Sequence, residues 1–306
     1  MIDVLIITFN ESINLPHALR SVMPWARNVF VVDSESTDDT RRIAEEMGAK
    51  VYIQPWLGYA RQKNWALDNL PFESDWIFIL DADESITPEL RDELLAIASR
   101  PVHQVPEAGF YVNRLTYFMN RPIRHCGFFP AYNLRFFKRG RARYEEREVH
   151  EHMIVDGPTA RLRNMMIHND RRGLEHYIAK HNRYSTLEAR ELFRYQMQRA
   201  SGQAQKLERG IGFRRWVKHN ILPRIPCAWM ARFFYMYFLR LGFLDGVAGF
   251  RFAVFLTVYD MFITLKLNEL KTSAAEGDRP LERPASATPR GLAVPEGEMN
   301  SATTTG

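Results

Sequence analysis

Through the first hundred residues, short β-rich runs alternate with helical patterns, and this alternation leaves few folds open other than βαβ units around a parallel sheet. Strands are predicted at Asp3–Thr8, Val29–Val32, Lys50–Ile53 and Trp76–Leu80. Between them, helices are predicted to open near Pro16, to run from Asp38 to Met47 before Gly48, and to cover Ala60–Asn69. Thr87-Pro88-Glu89 begins a fourth, with Thr as cap and Pro at the first helical position. Beyond Pro101 the runs Gly109–Phe118, Tyr132–Phe137 and Arg161–Ile167 predict a mixed or antiparallel extension of the sheet, followed by a polar-faced helix over Leu174–Arg199.

Ligands of open parallel sheets bind beyond the carboxyl ends of the strands. Those ends are polar in this chain: Thr8-Phe9-Asn10-Glu11, Asp33-Ser34-Glu35-Ser36-Thr37-Asp38 and Asp81-Ala82-Asp83-Glu84. Thr37, Asp38 and Thr87 each precede a helical pattern and read first as helix caps. Asp81 and Asp83 read differently, because the apolar run Trp76–Leu80 delivers both carboxylates to the mouth of the sheet. Such a pair suits a hard divalent cation that shares phosphate oxygens with a substrate. His168 ends a predicted strand, where a histidine commonly caps.

Taken together, Ile6-Ile7-Thr8-Phe9-Asn10-Glu11, Val31-Val32-Asp33-Ser34 with Ser36-Thr37-Asp38, Gly58–Ala66 and Ile79-Leu80-Asp81-Ala82-Asp83-Glu84 resemble family 2 glycosyltransferases of the GT-A fold, most closely those of lipopolysaccharide core synthesis. The resemblance implies an α/β fold, a GT-A (Rossmann-like) mixed sheet flanked by helices, with C-terminal amphipathic helices. It implies inverting transfer of a hexose from a nucleotide-sugar, UDP-glucose or similar, to a lipid-linked saccharide such as lipopolysaccharide core, with Mg²⁺ or Mn²⁺ as cofactor. Another polysaccharide, a glycolipid or a protein is the alternative acceptor. Thr8, Asp33 and Arg61 are implied to meet the nucleobase and ribose, with Asn10, Glu11, Ser36, Asn64 and Ala82 in the same donor-binding set. Asp81 is implied to meet the ribose or the metal, Asp83 the metal, and His168 is the third candidate ligand. For Lys63, a solvated helix face is at least as good a reading as a role at the site. Family members commonly place an acidic base in the second half, and Glu151 of Glu148-Val149-His150-Glu151-His152 matches it, with His150 as the other candidate base or an orienting partner. A Q-x-x-R-W motif is missing, Arg214-Arg215-Trp216 being only a fragment, which counts against processive polymerisation.

Charge separates the chain into two parts. Residues 1–100 hold 9 Lys and Arg against 17 Asp and Glu, whereas residues 101–271 hold 29 against 14. A basic half could address nucleic acid, but no zinc-finger spacing, RNP-like motif or heptad-linked basic region is present. Gln205–Arg224 carries six Lys and Arg against Glu208 alone, and Trp229–Leu267 is aromatic and helical, with Gly242, Gly246 and Gly249 allowing a break. Basic and aromatic together predict an interfacial anchor on an anionic membrane surface, ahead of a plain buried helical pair. Arg232, Arg240, Asp245, Arg251 and Asp260 interrupt the apolar run, so a membrane span is not expected. Met1–Ile7 has no basic lead and reads as a strand and not a signal peptide. Cys126 and Cys227 form no CxxC pair, which fits a reducing compartment. The expected location is cytoplasmic, peripheral on the inner membrane. The domain reading is a nucleotide-sugar-binding half over 1–100, an acceptor and catalytic half over 101–204, a membrane-interface region over 205–271 and a disordered tail over 272–306. A non-catalytic carbohydrate- or membrane-binding protein is the runner-up class.

Overall fold

A computed structural model describes residues 1–145, 152–200 and 228–275. They fall into a first compact unit, Met1–Gly173, and a second that begins at Leu174.

The first unit runs β1 (Ile2–Thr8), α1 (Leu15–Val22), β2 (Asn28–Asp33), α2 (Thr40–Glu46), β3 (Lys50–Ile53), α3 (Tyr59–Asn69), β4 (Trp76–Asp81), β5 (Glu84–Ile86) and α4 (Pro88–Ala98). Then come β6 (Gly109–Phe118), β7 (Arg121–Pro122), β8 (Tyr132–Lys138), β9 (Ala142–Tyr144), β10 (Met153–Val155) and β11 (Thr159–His168). The main sheet has the order β3-β2-β1-β4-β8-β6-β11-β5. Its first four strands are parallel, as the alternation predicts, and β8 joins β4 in antiparallel fashion to begin the mixed half. Helices cover both faces, so β1 is buried along its whole length. Val4, Ile6, Phe78 and Leu80 pack with Leu15 and Leu19 of α1 and Leu90 and Leu94 of α4. Their neighbours Leu5, Ile7, Ile77 and Ile79 face the other way, into the core that holds Ala66 of α3. Each fully buried side chain of this size contributes about 1.5–3 kcal/mol, and a slip of one residue would exchange the two sets.

One connection constrains the whole sheet. β5 follows β4 after only Ala82 and Asp83, yet it pairs with β11 at the far end of the strand order. The sheet therefore curls until its last strand returns beside its fourth, and Asp83 lies in the link that closes the curl. The sequence reading missed β5, because three residues carry no period and this strand exists only through its distant partner β11. The short strands β7, β9 and β10 escaped for the same reason. Among the expected caps, Thr87 accepts a hydrogen bond from Leu90 N (3.2 Å), whereas Asp39 and not Asp38 occupies the cap position of α2, Asp38 accepting from Thr40 N (3.0 Å) one residue before it. Thr37 does not cap; its amide donates to Asn10 Oδ1 across the neighbouring loop.

The second unit contains α5 (Gly173–Ala200), α6 (Ala228–Phe234) continued by a π-helical turn over Tyr235–Leu239, and α7 (Gly246–Ala275). The break falls where the glycines predict it. Leu241 and Gly246 adopt left-handed φ values of 55° and 61°, and a Cβ on Gly249 would stand 2.0 Å from the Gly242 carbonyl oxygen, so only glycine permits this approach. Segment Gly242–Ala275 is long and apolar enough to cross a membrane by length and composition alone, and within it Asp260 is paired with Arg232 at 2.6 Å. The helix also carries on through Thr272–Ala275, the first residues assigned to the tail, while the rest of that tail and the basic segment 205–224 lie outside the described residues.

Candidate active site

Parallel register brings the ends of β1, β2 and β4 to one edge of the sheet: Thr8 stands opposite Asp33, and Ile7 opposite Asp81. Asp33 is fully buried, and its carboxylate accepts hydrogen bonds from Thr8 Oγ1 (3.1 Å), Ser36 N (2.8 Å) and Ser36 Oγ. Ser36 Oγ in turn accepts from Asn10 N (2.8 Å), with Asn10 in the left-handed region at φ 53°. The loops after β1 and β2 are thereby stitched together around one buried carboxylate, and Thr8, Asn10, Asp33 and Ser36 belong to a single hydrogen-bonded group.

The end of β4 is organised by cations. Asp81 pairs with Lys63 Nζ at 3.0 Å and with Arg135 Nη2, and the same guanidinium nitrogen reaches Glu84 Oε1 at 2.9 Å. Glu84 Oε2 accepts from Asp81 N (3.0 Å), closing the turn between β4 and β5. Burial alone would lower the Lys63 ammonium, but the adjoining Asp81 carboxylate overrides it and the pKa is raised; Arg135 behaves likewise between Asp81 and Glu84. Lys63 is buried, so the solvated-face reading fails for it and fits Arg61, which is exposed on α3. Asn64, also on the buried side of α3, exchanges two 2.9 Å hydrogen bonds with the backbone of Tyr144, which ties α3 to β9.

Asp83 meets a different partner. The β5–β11 pairing sets His168 opposite Glu84, Asn169 N donates to the Asp83 carbonyl (2.9 Å), and His168 Nε2 lies 3.2 Å from Asp83 Oδ2. The structure thus brings Asp83 and His168 together, whereas it commits the Asp81 carboxylate to cations; Ala82 between them is buried. Among the described residues no three His, Cys, Asp or Glu side chains converge as a metal-ligand group. One carboxylate and one imidazole fit an open site that a phosphate-bearing substrate completes, and not a closed structural centre.

Glu11 is buried beside this pair. It accepts from Asn14 Nδ2 (2.9 Å) and pairs with Arg172 at 2.8 Å, and Arg172 also grips Asp170 at 2.7 Å. Burial, opposed first by Arg172, pushes the Glu11 carboxyl up to about 8, and the Asp83 carboxylate adds to the rise. His150 and Glu151 lie outside the described residues. The sequence reading left Arg135, Asn14, Asp170 and Arg172 unassigned. Arg135 had a visible signal, a lone charge inside the apolar strand Leu134-Arg135-Phe136-Phe137; the contacts of Arg172 depend on chain ends brought together only by folding.

Comparison with known proteins finds a match to the family model "Glycosyl transferase family 2" over residues 3–170. An uncharacterized glycosyltransferase of Rickettsia conorii is 31% identical over 285 residues, 89% of this chain and 90% of the relative. The lipopolysaccharide core biosynthesis glycosyltransferase LpsC of Rhizobium meliloti is 31% identical over 194 residues, 60% of this chain and 68% of LpsC. Among solved structures, S. aureus TarS 1-349 superposes over 90% of this chain and 91% of its own, at 13% identity and a TM-score of 0.43.

Arg172→Ala removes the cation that Glu11 and Asp170 share, and breaking a buried pair of this kind costs about 3–5 kcal/mol. Because the Glu11 carboxyl lies above its ordinary 4.5 in the folded state, folding holds a proton there, and the stability due to this group falls as pH rises from 4.5 towards about 8. Without Arg172 the carboxyl rises further, so the loss measured by denaturant unfolding is expected to be larger at pH 8 than at pH 5. An equal loss at both would contradict the coupling.

Proposed function

This chain belongs to glycosyl transferase family 2, and we propose that it is an inverting enzyme that moves a hexose from a nucleotide-sugar, UDP-glucose or a close analogue, to a lipid-linked saccharide such as lipopolysaccharide core. The observation that carries the reading is the meeting, at one edge of the sheet, of the Thr8–Asp33 group with the Asp83–His168 pair. Family membership sets aside the runner-up class of a purely binding protein. The lipopolysaccharide acceptor draws support from the relative LpsC.

In this reading Thr8 and Asp33 receive the nucleobase and ribose, and Asn10, Glu11, Ser36, Asn64 and Ala82 hold the surrounding backbone and side chains in position. The buried Lys63 is a better candidate than the exposed Arg61 for the cation beside the donor. Asp83 and His168 would hold Mg²⁺ or Mn²⁺, while Asp81, already bound by two cations, is better suited to the ribose. What such a metal supplies when bound is neutralisation of the charge that gathers on the diphosphate as the glycosidic bond breaks. Glu151 takes the proton from the attacking hydroxyl, with His150 as the second candidate. Association with the anionic cytoplasmic face of the inner membrane is part of the proposal, supported by the apolar segment Gly242–Ala275 and by the basic composition of residues 205–224.

Asp83→Ala is expected to abolish the rise in melting temperature that UDP-glucose with Mn²⁺ gives the wild type, and to remove turnover, without loss of fold. Near wild-type turnover in Mn²⁺ would overturn the metal assignment. Glu151→Gln is expected to keep donor affinity and to lower turnover by about 10²-fold or more. If turnover survives that change and is lost in a folded His150→Ala variant, the histidine is the base.

A further inference from the structure

We propose that the turn joining α6 and α7 is a preformed wedge that inserts into an anionic lipid bilayer, independently of the basic segment 205–224. The inference rests on the membrane component of the proposed function and locates it in particular side chains.

Helix α7 is apolar around its circumference, which ordinarily places a helix inside a large core or in lipid. Yet only 39% of its apolar stretch is buried within the protein. Apart from Val254 and Leu265, the exposed large apolar side chains of α7 gather beside the turn. Leu239 is 74% exposed and Val247 65%, with Phe238, Phe243, Leu244 and Phe250 also exposed around the same turn. These residues belong to the turn and to the helix ends that flank it, and exposed apolar side chains bordered by arginines are what an anionic lipid interface accommodates.

The turn is held in shape without lipid. Tyr237 stacks on Phe233 at 5.3 Å, Phe250 meets both rings edge-on at 5.6 and 5.8 Å, and Gly249 lets α7 approach the Gly242 carbonyl. Its polar decoration suits an anionic interface. Arg240 and Arg251 are exposed beside the apolar turn, Asp245 is the only acid between residues 228 and 259, and Tyr235 and Tyr237 are the aromatic type favoured at headgroup depth. Deeper along the helices, Arg232 is matched by Asp260 at 2.6 Å, so the unbalanced positive charge lies at the turn.

The test uses the full chain with vesicles of phosphatidylcholine containing phosphatidylglycerol, and of phosphatidylcholine alone. Co-sedimentation with the anionic vesicles is expected, only partly reversed by high salt. The double variant Leu239→Glu, Val247→Glu, both sites being exposed and so compatible with folding, is expected to weaken partitioning about tenfold or more. Arg240→Gln with Arg251→Gln should erase about an order of magnitude of the preference for anionic vesicles. An environment-sensitive dye on Leu239→Cys, in a Cys227→Ser background, should brighten and shift to the blue on vesicle addition. Wild-type binding by the glutamate variant, an unchanged dye spectrum, or a lipid-free dimer that the glutamate variant dissociates would each overturn the proposal, the last by assigning the face to a second copy of the chain. Donor binding is read separately by calorimetry, so failure of the wedge and failure of the glycosyltransferase reading give different results.

Discussion

The guanidinium of Arg135 bridging Asp81 and Glu84 is the contact on which the first unit depends. Those carboxylates belong to strands that are consecutive in the chain but lie at position four and at the end of the sheet order. Arg135 comes from β8, next to β4, and so stands where the curled sheet closes on itself. Taking three charges out of water is expensive, and such a cluster is not in itself a source of net stability. What it supplies is a unique register for the link Ala82–Asp83, since removing any member strands a buried charge. The apolar core supplies the driving force, and the ion cluster selects one arrangement of it.

That selection divides two neighbouring carboxylates between different tasks. Asp81 is neutralised by Lys63 and Arg135, whereas Asp83, two residues later, turns to His168. The same spacing that makes D-x-D a common pattern in sequence thus yields two distinct electrostatic settings. Glu11 experiences a third, buried beside Asp83 and held by Arg172, with a carboxyl that takes up protons near neutral pH. A cation entering beside Asp83 would therefore meet a site whose charge is set by residues from the loop after β1, the link between β4 and β5 and the segment after β11.

Strand ends were legible in the sequence because the parallel half of the sheet is built from near-continuous apolar runs that stop at polar residues. Thr8, Asp33 and Asp81 could be placed at one edge from that pattern alone. Helix faces were harder to read. Arg61, Lys63 and Asn64 lie within one turn of α3, and which of them faces inward depends on β9, a three-residue strand with no periodic signal. For the same reason the sequence left Lys63 open between a solvated face and a role at the site, and gave no sign that Lys63 pairs with Asp81 or that Asn64 bonds the backbone of Tyr144. The pairing of Asp260 with Arg232, 28 residues away in sequence, was likewise invisible to a local reading. Local patterns reveal what local physics decides; pairings across the fold appear only once it is closed.

The proposal that the mouth of this curled sheet binds a metal-associated nucleotide diphosphate through Asp83 is tested most directly by anomalous diffraction from crystals grown with Mn²⁺ and UDP. A single manganese peak in coordination contact with Asp83 is expected, with His168 beside it and the nucleobase against the Thr8–Asp33 group. A peak remote from Asp83, or UDP bound away from these strand ends, would contradict it.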